Sequence, residues 1–480
     1  MKTECIQEEF QFQGLGSRKV VSKFDGGAMT SDAGALLLRE TEAFSGVIRQ
    51  FAACFTDYRE PDFIEHTVEQ LLAQRVYALA LGYEDLNDHD KLRFDQMLAV
   101  AVGKADPTGE DRKLKRDKGK PLAGKSTLNR LELTKAQLDP TNRYQKIVAR
   151  NDQVERFFID IFLQSYDRVP DRIVLDVDAT DDPLYGDQMG KFFHGYYSHY
   201  CYLPLYIFCG DHLLCACLRE SNIDGASGAV AHLERIVTQI RECWPAVEIV
   251  IRGDSGFCRE EIMAWCEAKE NRVDYILGLA KNSRLKEILA EALQEAAALY
   301  EETGEASRVF EDFTYQTLKS WSRERRVIGK AEHLSKGSNP RFVVTSLSPE
   351  EVDARTLYEK EYCARGNMEN RIKEQQLDLF ADRTSTHWMR SNQLRLWLSS
   401  VAYTLVNRLR HVGLKGTGMA RAQCGTIREK LFKIGAHVMV SVRRVKVAMA
   451  SGCPYQGIFS VICRNLQAAQ STRTMIPLRC

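Results

Sequence analysis

The alternation of apolar and polar positions changes period twice along this chain. From Ser31 to about Ile159 the spacing is helical. Asp32–Glu40 offers a cap-like start followed by helix formers, and Val68–Ala80 is a second strong helix that Gly82 ends. A polar loop from Ala105 to Gly124 follows, carrying the charged run Arg112–Lys118. From about Asp171 the apolar runs shorten. Ile173–Val177, Tyr202–Phe208 and His212–Leu218 read as strands, and Gly210-Asp211 turns the second into the third, so an antiparallel meander is expected. A helix from about Gly228 to Trp244, strand Glu248–Ile251, helix Glu260–Lys269 and strand Asp274–Leu279 extend it to βββαβαβ, a mixed α/β sheet. After Lys281 a helix of about 20 residues leads to alternating runs near Val309–Tyr315 and Glu324–Lys330, then to Arg341–Thr345. This stretch is expected to be an inserted, partly β subdomain. The pattern is helical again from about Pro349 to about Leu414.

Length and composition sharpen that outline. A chain of 480 residues calls for two to four domains. The expected units are a mostly helical region at 1–165, a sheet core at 166–283, the insertion at 284–348, closing helices at 349–400 and a basic helical region at 401–480. The hydrophobic and charged fractions, 44% and 27%, are those of a soluble globular chain. No run of 18 apolar residues suggests a membrane span, and Met1–Cys5 lacks a signal-peptide core, so a cytoplasmic location is expected. The 14 cysteines are scattered without a C-x-x-C pair and read as small buried hydrophobes, Cys215 and Cys217 on one face of a strand. The net charge of +1 conceals an asymmetry: residues 401–480 hold 13 Lys/Arg against the single acid Glu429. Such a basic tail is either a phosphate-binding surface or a solvated partner for the acidic remainder.

The candidate chemistry lies in three distant segments. Asp176 and Asp178, two residues apart on a strand, point to the same side, where a metal site or solvent must relieve their burial cost. Asp254 ends the Glu248–Ile251 strand and precedes Ser255-Gly256; it is placed for a site at the carboxyl end of the sheet or for capping the next helix. On a helix, Tyr362, Arg365 and Glu369 share one face, which Ile372, Lys373 and Gln376 continue. Glu369 with a cation one turn away on either side suits metal and phosphate, or an exposed face of intrahelical ion pairs. Together the acids could hold two Mg²⁺ ions for phosphoryl transfer.

Other motifs compete less well. Gly119–Ser126 matches G-x-x-x-x-G-K-S, but charged residues rather than a strand precede it, so no ATP site is expected. Ser126–Glu132 reads as a helix start with Ser126 or Thr127 as cap, in a position to contact DNA. Glu84–Asp90 lacks the glycine and distal glutamate of a calcium loop and reads as a turn with mutual capping. The aromatic and His-rich Phe193–Tyr200 either lines the active side of the sheet or packs.

These segments, with Met29–Gly34, Gly82–Asp90 and Ser126–Glu132, give the chain a resemblance to the DDE transposases of bacterial insertion sequences, more narrowly to the group numbered thirteen-eighty. The resemblance spans nearly the whole chain and implies an RNase H-like core with a β-rich insertion before the last acidic helix. It implies Asp178, Asp254 and Glu369 as catalytic metal ligands, two Mg²⁺ ions with Mn²⁺ as a substitute, and DNA contacts from Tyr362, Arg365 and Lys373. It implies binding of terminal inverted repeats, strand cleavage and joining of the 3′-OH to target DNA by a homodimer, without ATP. The Tyr-x2-Arg-x3-Glu-x6-Lys pattern of such enzymes is met except at its last position, where this chain has Gln376. A nuclease that does not join strands and a catalytically inert DNA-binding relative are the alternatives.

Overall fold

The computed structural model describes residues 9–475 apart from 134, 136 and 140. Met1–Cys5 and Arg479 of the basic tail lie outside the described residues. A large mixed sheet runs through the middle of the molecule. Its strands, in chain order, are β1 (Arg172–Ala179), β2 (Leu205–Cys209), β3 (His212–Cys217), β4 (Glu248–Gly253), β5 (Val273–Leu279), β6 (Ser307–Tyr315), β7 (Arg325–Leu334), β8 (Gly337–Ser338) and β9 (Arg341–Thr345). The spatial order is β3-β2-β1-β4-β5-β9-β7-β6, with β8 hydrogen-bonded to β7. β1, β2 and β3 form the expected antiparallel meander, and β4 lies parallel to both β1 and β5.

Two expectations change here. The residues read as an inserted subdomain do not form a separate sheet. β9 pairs antiparallel with β5, β7 with β9 and β6 with β7, so they widen the central sheet. The apolar run Tyr202–Phe208 is also split: His199–Tyr202 belongs to a small ribbon with Asp182–Pro183 and Phe192–His194, and only Leu205–Cys209 joins the main sheet. Pro204, which lacks a donor, separates them.

The helices that matter here are α1 (Ala35–Ser45), α2 (Val68–Leu81), α3 (Lys125–Glu132), α4 (Asn151–Leu163), α5 (Ala229–Cys243), α6 (Glu260–Glu267), α7 (Ala290–Thr303), α8 (Gly366–Lys373), α9 (Met389–Arg408) and α10 (Gln456–Met475). One sheet face is apolar and covered by α4 to α7: Ile173, Leu175 and Val177 of β1 share a core with Ile159, Leu233, Ile262 and Ala292. The other face meets a helical body made from both ends of the chain. Leu37, Leu72, Leu131, Leu398 and Leu466 belong to one core with Tyr206, Phe208 and Ala216 of the sheet. The regions expected at the two ends are therefore one body. α9 also satisfies the outer edge of β3, because Gln393 and Trp397 both donate to the Ala216 carbonyl, at 3.0 and 3.1 Å.

The phrases that supported the family resemblance at the N-terminal end are joints of this body. A Cβ at Gly34 would fall 1.9 Å from the Leu431 carbonyl oxygen, and Gly34 N–H donates to Phe432 O at 3.1 Å. Asp32 is buried, accepts from Tyr83 Oη at 2.6 Å and pairs with Lys433 at 2.7 Å. Asp85 and Asp88 form the expected mutual cap. Glu132 is fully buried between Arg75 and Arg395, at 2.8 Å from each. The N-cap of α3 is Gly124, which has no side chain to cap with, so neither Ser126 nor Thr127 fills that role. A 3₁₀ turn, Lys115–Asp117, precedes the Gly119–Ser126 loop, and Lys125 pairs with Asp90 at 2.9 Å. The C-terminal region is not all helical: Ala436–Ser441 and Arg444–Met449 form a hairpin that also pairs with Met29–Thr30. A second exposed hairpin, Phe10–Leu15 with Arg18–Ser22, had no counterpart in the sequence pattern. The described cysteines are free thiols, with Cys215 buried and Cys217 half-buried. No helix among the described residues is long and apolar enough to cross a membrane.

Candidate active site

Strand register assembles the first two acids. β1 and β4 pair so that Asp176 stands opposite Arg252, and Val177 opposite Gly253. One further step along each chain brings Asp178 and Asp254 to the same end of the two paired strands. Because Leu175 and Val177 face the α4–α7 core, Asp176 and Asp178 point to the opposite face. Asp254 has left the strand, and its Oδ1 accepts from Gly256 N–H at 2.8 Å. α6 starts only at Glu260 after Arg259, so Asp254 does not cap it.

The third acid comes from the segment that crosses this face. It is not the regular helix read from the sequence. Leu357–Tyr362 is π-wound, Cys363–Arg365 is a 3₁₀ turn, α8 follows, and Glu374–Asp378 is π-wound again. Leu357 and Tyr358 anchor it by packing on Val250, Ile276, Ile328 and Val343. Such changes of winding reset which residues share a face. The result is that Arg365 turns toward the sheet. Its guanidinium donates to Asp178 Oδ2 at 3.2 Å and to Glu369 Oε1 at 2.6 Å. Asp178, Glu369 and Arg365 are thus in direct contact, with Asp254 as an electrostatic neighbour.

Burial pushes the Asp178 carboxyl up to about 6; Arg365 opposes the rise, while Asp254 and Glu369 add to it. Burial works against the charge of Arg365, but Asp178, Glu369 and Asp254 outweigh it and hold the guanidinium above its ordinary value. Tyr362 lies over β5. A Cβ at Gly278 would sit 2.5 Å from the Tyr362 hydroxyl oxygen and 3.0 Å from Ser255 N. Glycine at this point lets the phenol approach the peptide that follows Asp254.

The remaining sequence candidates separate. Asp176 is buried and gripped by Arg252 through bonds of 2.5 and 2.7 Å, so its carboxylate is committed to that pair. Glu374, the next acid after Glu369, is buried between Arg371 and Arg410 and accepts from Cys424 N–H at 2.9 Å. Lys373 is exposed and makes no ion pair among the described residues, so no contact brings it into the acidic group. Gln376 is engaged by the chain that follows Asp178: its amide donates to Asp181 O at 3.1 Å and Asp182 Oδ1 at 3.0 Å. Two contributors escaped the sequence reading. Arg252 could have been found from its place two residues before Asp254, on the face of Asp176. Gly278 could have been found as a glycine inside an apolar strand, which marks a close approach.

Among the described residues no group of three or more His, Cys, Asp or Glu is arranged as a metal site, and Arg365 supplies the positive charge between Asp178 and Glu369. The donor chemistry nonetheless suits a hard divalent ion: three side chains offer only carboxylate oxygens, and burial, with Asp254 and Glu369 adding to it, raises the Asp178 carboxyl.

An acidic group at the end of a mixed sheet, with a guanidinium between two of its members, is the kind of site that enzymes acting on phosphodiesters use. The family model for the transposase DDE domain, group 1, matches residues 12–471, and the chain belongs to that family. It is a DDE-type DNA transposase. A solved structure similar to it is the cryo-EM structure of a piggyBac transposase synaptic complex with hairpin DNA, at 10% identity over 93% of this chain and 86% of that one, with a TM-score of 0.40. Comparison with curated protein sequences returned no match.

Proposed function

We propose that this transposase serves a bacterial insertion sequence of the group numbered thirteen-eighty, acting in the cytoplasm on nucleoid DNA. Its β1–β5 core is the RNase H-like part. The observation that carries the reading is the contact of Arg365 with both Asp178 and Glu369, beside Asp254.

Asp178, Asp254 and Glu369 would hold two divalent ions, Mg²⁺ or Mn²⁺, which supply charge neutralisation and an activated oxygen nucleophile at the scissile phosphate. Arg365 has its guanidinium positioned to trade a carboxylate for a phosphate oxygen. Tyr362 Oη, beside the Ser255 N–H, donates to the neighbouring backbone phosphate. Lys373, exposed one turn beyond Glu369, gives long-range attraction to DNA. The helical body and the basic C-terminal hairpin bind the terminal inverted repeats. A homodimer pairs two ends, cuts them, and directs each 3′-OH to target DNA without ATP.

Asp178→Asn, Asp254→Asn and Glu369→Gln are expected to abolish cleavage of an end-containing duplex while binding persists. A pre-cut end should then be joined to a target by the wild type alone. Cutting without joining would make the chain a nuclease. A second reading, DNA binding by an inert relative, draws on Arg365 occupying the acidic group; absence of cleavage by the wild type in Mg²⁺ and in Mn²⁺ would establish it.

A further inference from the structure

The ribbon between β1 and β2 keeps large aromatic side chains in solvent next to the acids. Tyr196 is 85% exposed, Phe193 57% and Tyr200 51%. Apolar surface of this kind normally has an occupant. The rings are not loose. Phe193 and Tyr200 are cross-strand partners in a T-shaped contact of 5.6 Å, and Tyr196 stands edge-on to Tyr197 at 5.0 Å. The backbone beneath them is pinned: Tyr202 Oη donates to Met189 O at 2.6 Å, Ser221 Oγ to Phe192 O at 3.0 Å, and Met189 N–H to His387 O at 2.9 Å. That last bond brings in Trp388, 44% exposed, with Arg390 5.3 Å from its ring centre. Lys191 lies 5.7 Å from the Tyr200 ring centre. The ribbon is tied to the chain just beyond Asp178: His199 Nε2 lies 2.7 Å from Asp181 Oδ2, three residues after Asp178, and the Tyr197 ring centre is 6.1 Å from that of His199.

We infer that this ribbon is a stacking platform for unpaired bases of the DNA end, which it holds while the adjoining phosphodiester lies at Asp178. Rigid exposed rings interleaved with cations suit bases attached to phosphates, because every base has a face to stack and every linkage has a charge to meet. A paired duplex buries its base faces and could not use the rings. The inference rests on the DNA-end reading given above.

The test places 2-aminopurine in a short unpaired overhang of an end-containing duplex and follows its fluorescence with the full-length chain. Quenching is expected for the wild type. Tyr196→Ala and the double variant Phe193→Ala/Tyr200→Ala should weaken overhang binding by about five- to 150-fold per base lost from its ring. Tyr196→Phe should retain both quenching and affinity, and binding of a blunt, fully paired duplex should change less than about twofold. Equal losses on blunt and overhanging DNA, or no loss on either, would overturn the platform. So would a fall of the alanine variants from dimer to monomer in sedimentation, which would make the rings a contact between copies. If the wild type binds neither DNA, the transposase reading fails first; if it binds and cuts but the variants behave like it, only the platform fails.

Discussion

Arg252 and Asp176 stand directly opposite each other on adjacent parallel strands, and Arg252 donates two hydrogen bonds to the Asp176 carboxylate, of 2.5 and 2.7 Å. Arg252 also donates to the Glu361 carbonyl, so one buried side chain ties the two central strands to the segment that carries Tyr362, Arg365 and Glu369. Asp176→Asn removes one charge and strands the other. It should cost about 3–5 kcal/mol of unfolding free energy in urea titrations. Replacing both, as Arg252→Met with Asp176→Leu, should recover much of that loss but leave the Glu361 tie broken, so cleavage should stay impaired. A stable Asp176→Asn protein would show that the pair is not buried in solution.

Arg365 tests the electrostatics of the acidic group. Its two carboxylate bonds need a guanidinium, and a lysine cannot span them. Arg365→Lys should lower the cleavage rate by about 100- to 1000-fold with little change in thermal stability. Arg365→Ala leaves Asp178 and Glu369 unneutralised, so it should bind Mn²⁺ at least about fivefold more tightly than the wild type while remaining inactive. Calorimetric titration with Mn²⁺ reads this directly; weaker binding would mean that the acids do not face a common ion.

Gly278 tests the fit of Tyr362 against the loop of Asp254. Gly278→Ala puts a methyl where the phenol oxygen lies. The expected cost is about 1–3 kcal/mol of stability. Gly278→Ala with Tyr362→Phe should restore part of the stability, because the oxygen that clashes is gone. Full activity in Gly278→Ala would place the phenol elsewhere.

The position of Gln376 gives a pH test. Asp182 is completely buried, and burial pushes its carboxyl up to about 8, with the Gln376 amide opposing. In the unfolded chain the same group ionises near 3.9. Between those values the folded state holds the proton and the unfolded state does not, so stability from this group falls as pH rises, by up to about 1.4 kcal/mol per pH unit. Gln376→Lys would pair with the carboxylate and keep it ionised. Thermal midpoints should then show Gln376→Lys gaining on the wild type from pH 5 to pH 8. An equal offset at both pH values would refute the coupling.

The strands and acids were legible where one period rules. Ile173–Val177 and Glu248–Ile251 are short, nearly continuous apolar runs, and each leads to an aspartate at its carboxyl end. The register that brings Asp178 and Asp254 to the same end is a property of the paired strands and cannot be seen in either alone. Arg341–Thr345 was visible as a strand, but not as the neighbour of β5, because sheet order depends on contacts far apart in the chain. The face shared by Tyr362, Arg365 and Glu369 was read for a regular helix, and the two changes of winding have no periodic signal. Gln376 was marked as a departure from the family pattern; its engagement with Asp182 follows from burial that sequence does not report.

The helical body joins Leu37 and Leu38 of α1 to Ile462 and Leu466 of α10. A ribosome therefore releases the partner of α1 only long after α1 itself has emerged. Until then α1 and the strand face that includes Tyr206 and Phe208 lack their cover, and a chain cut short before residue 430 would leave Gly34 without the Leu431–Phe432 backbone it packs against. Termination before α10 should yield insoluble fragments rather than smaller working enzymes, so DNA breakage is confined to chains that carry α10.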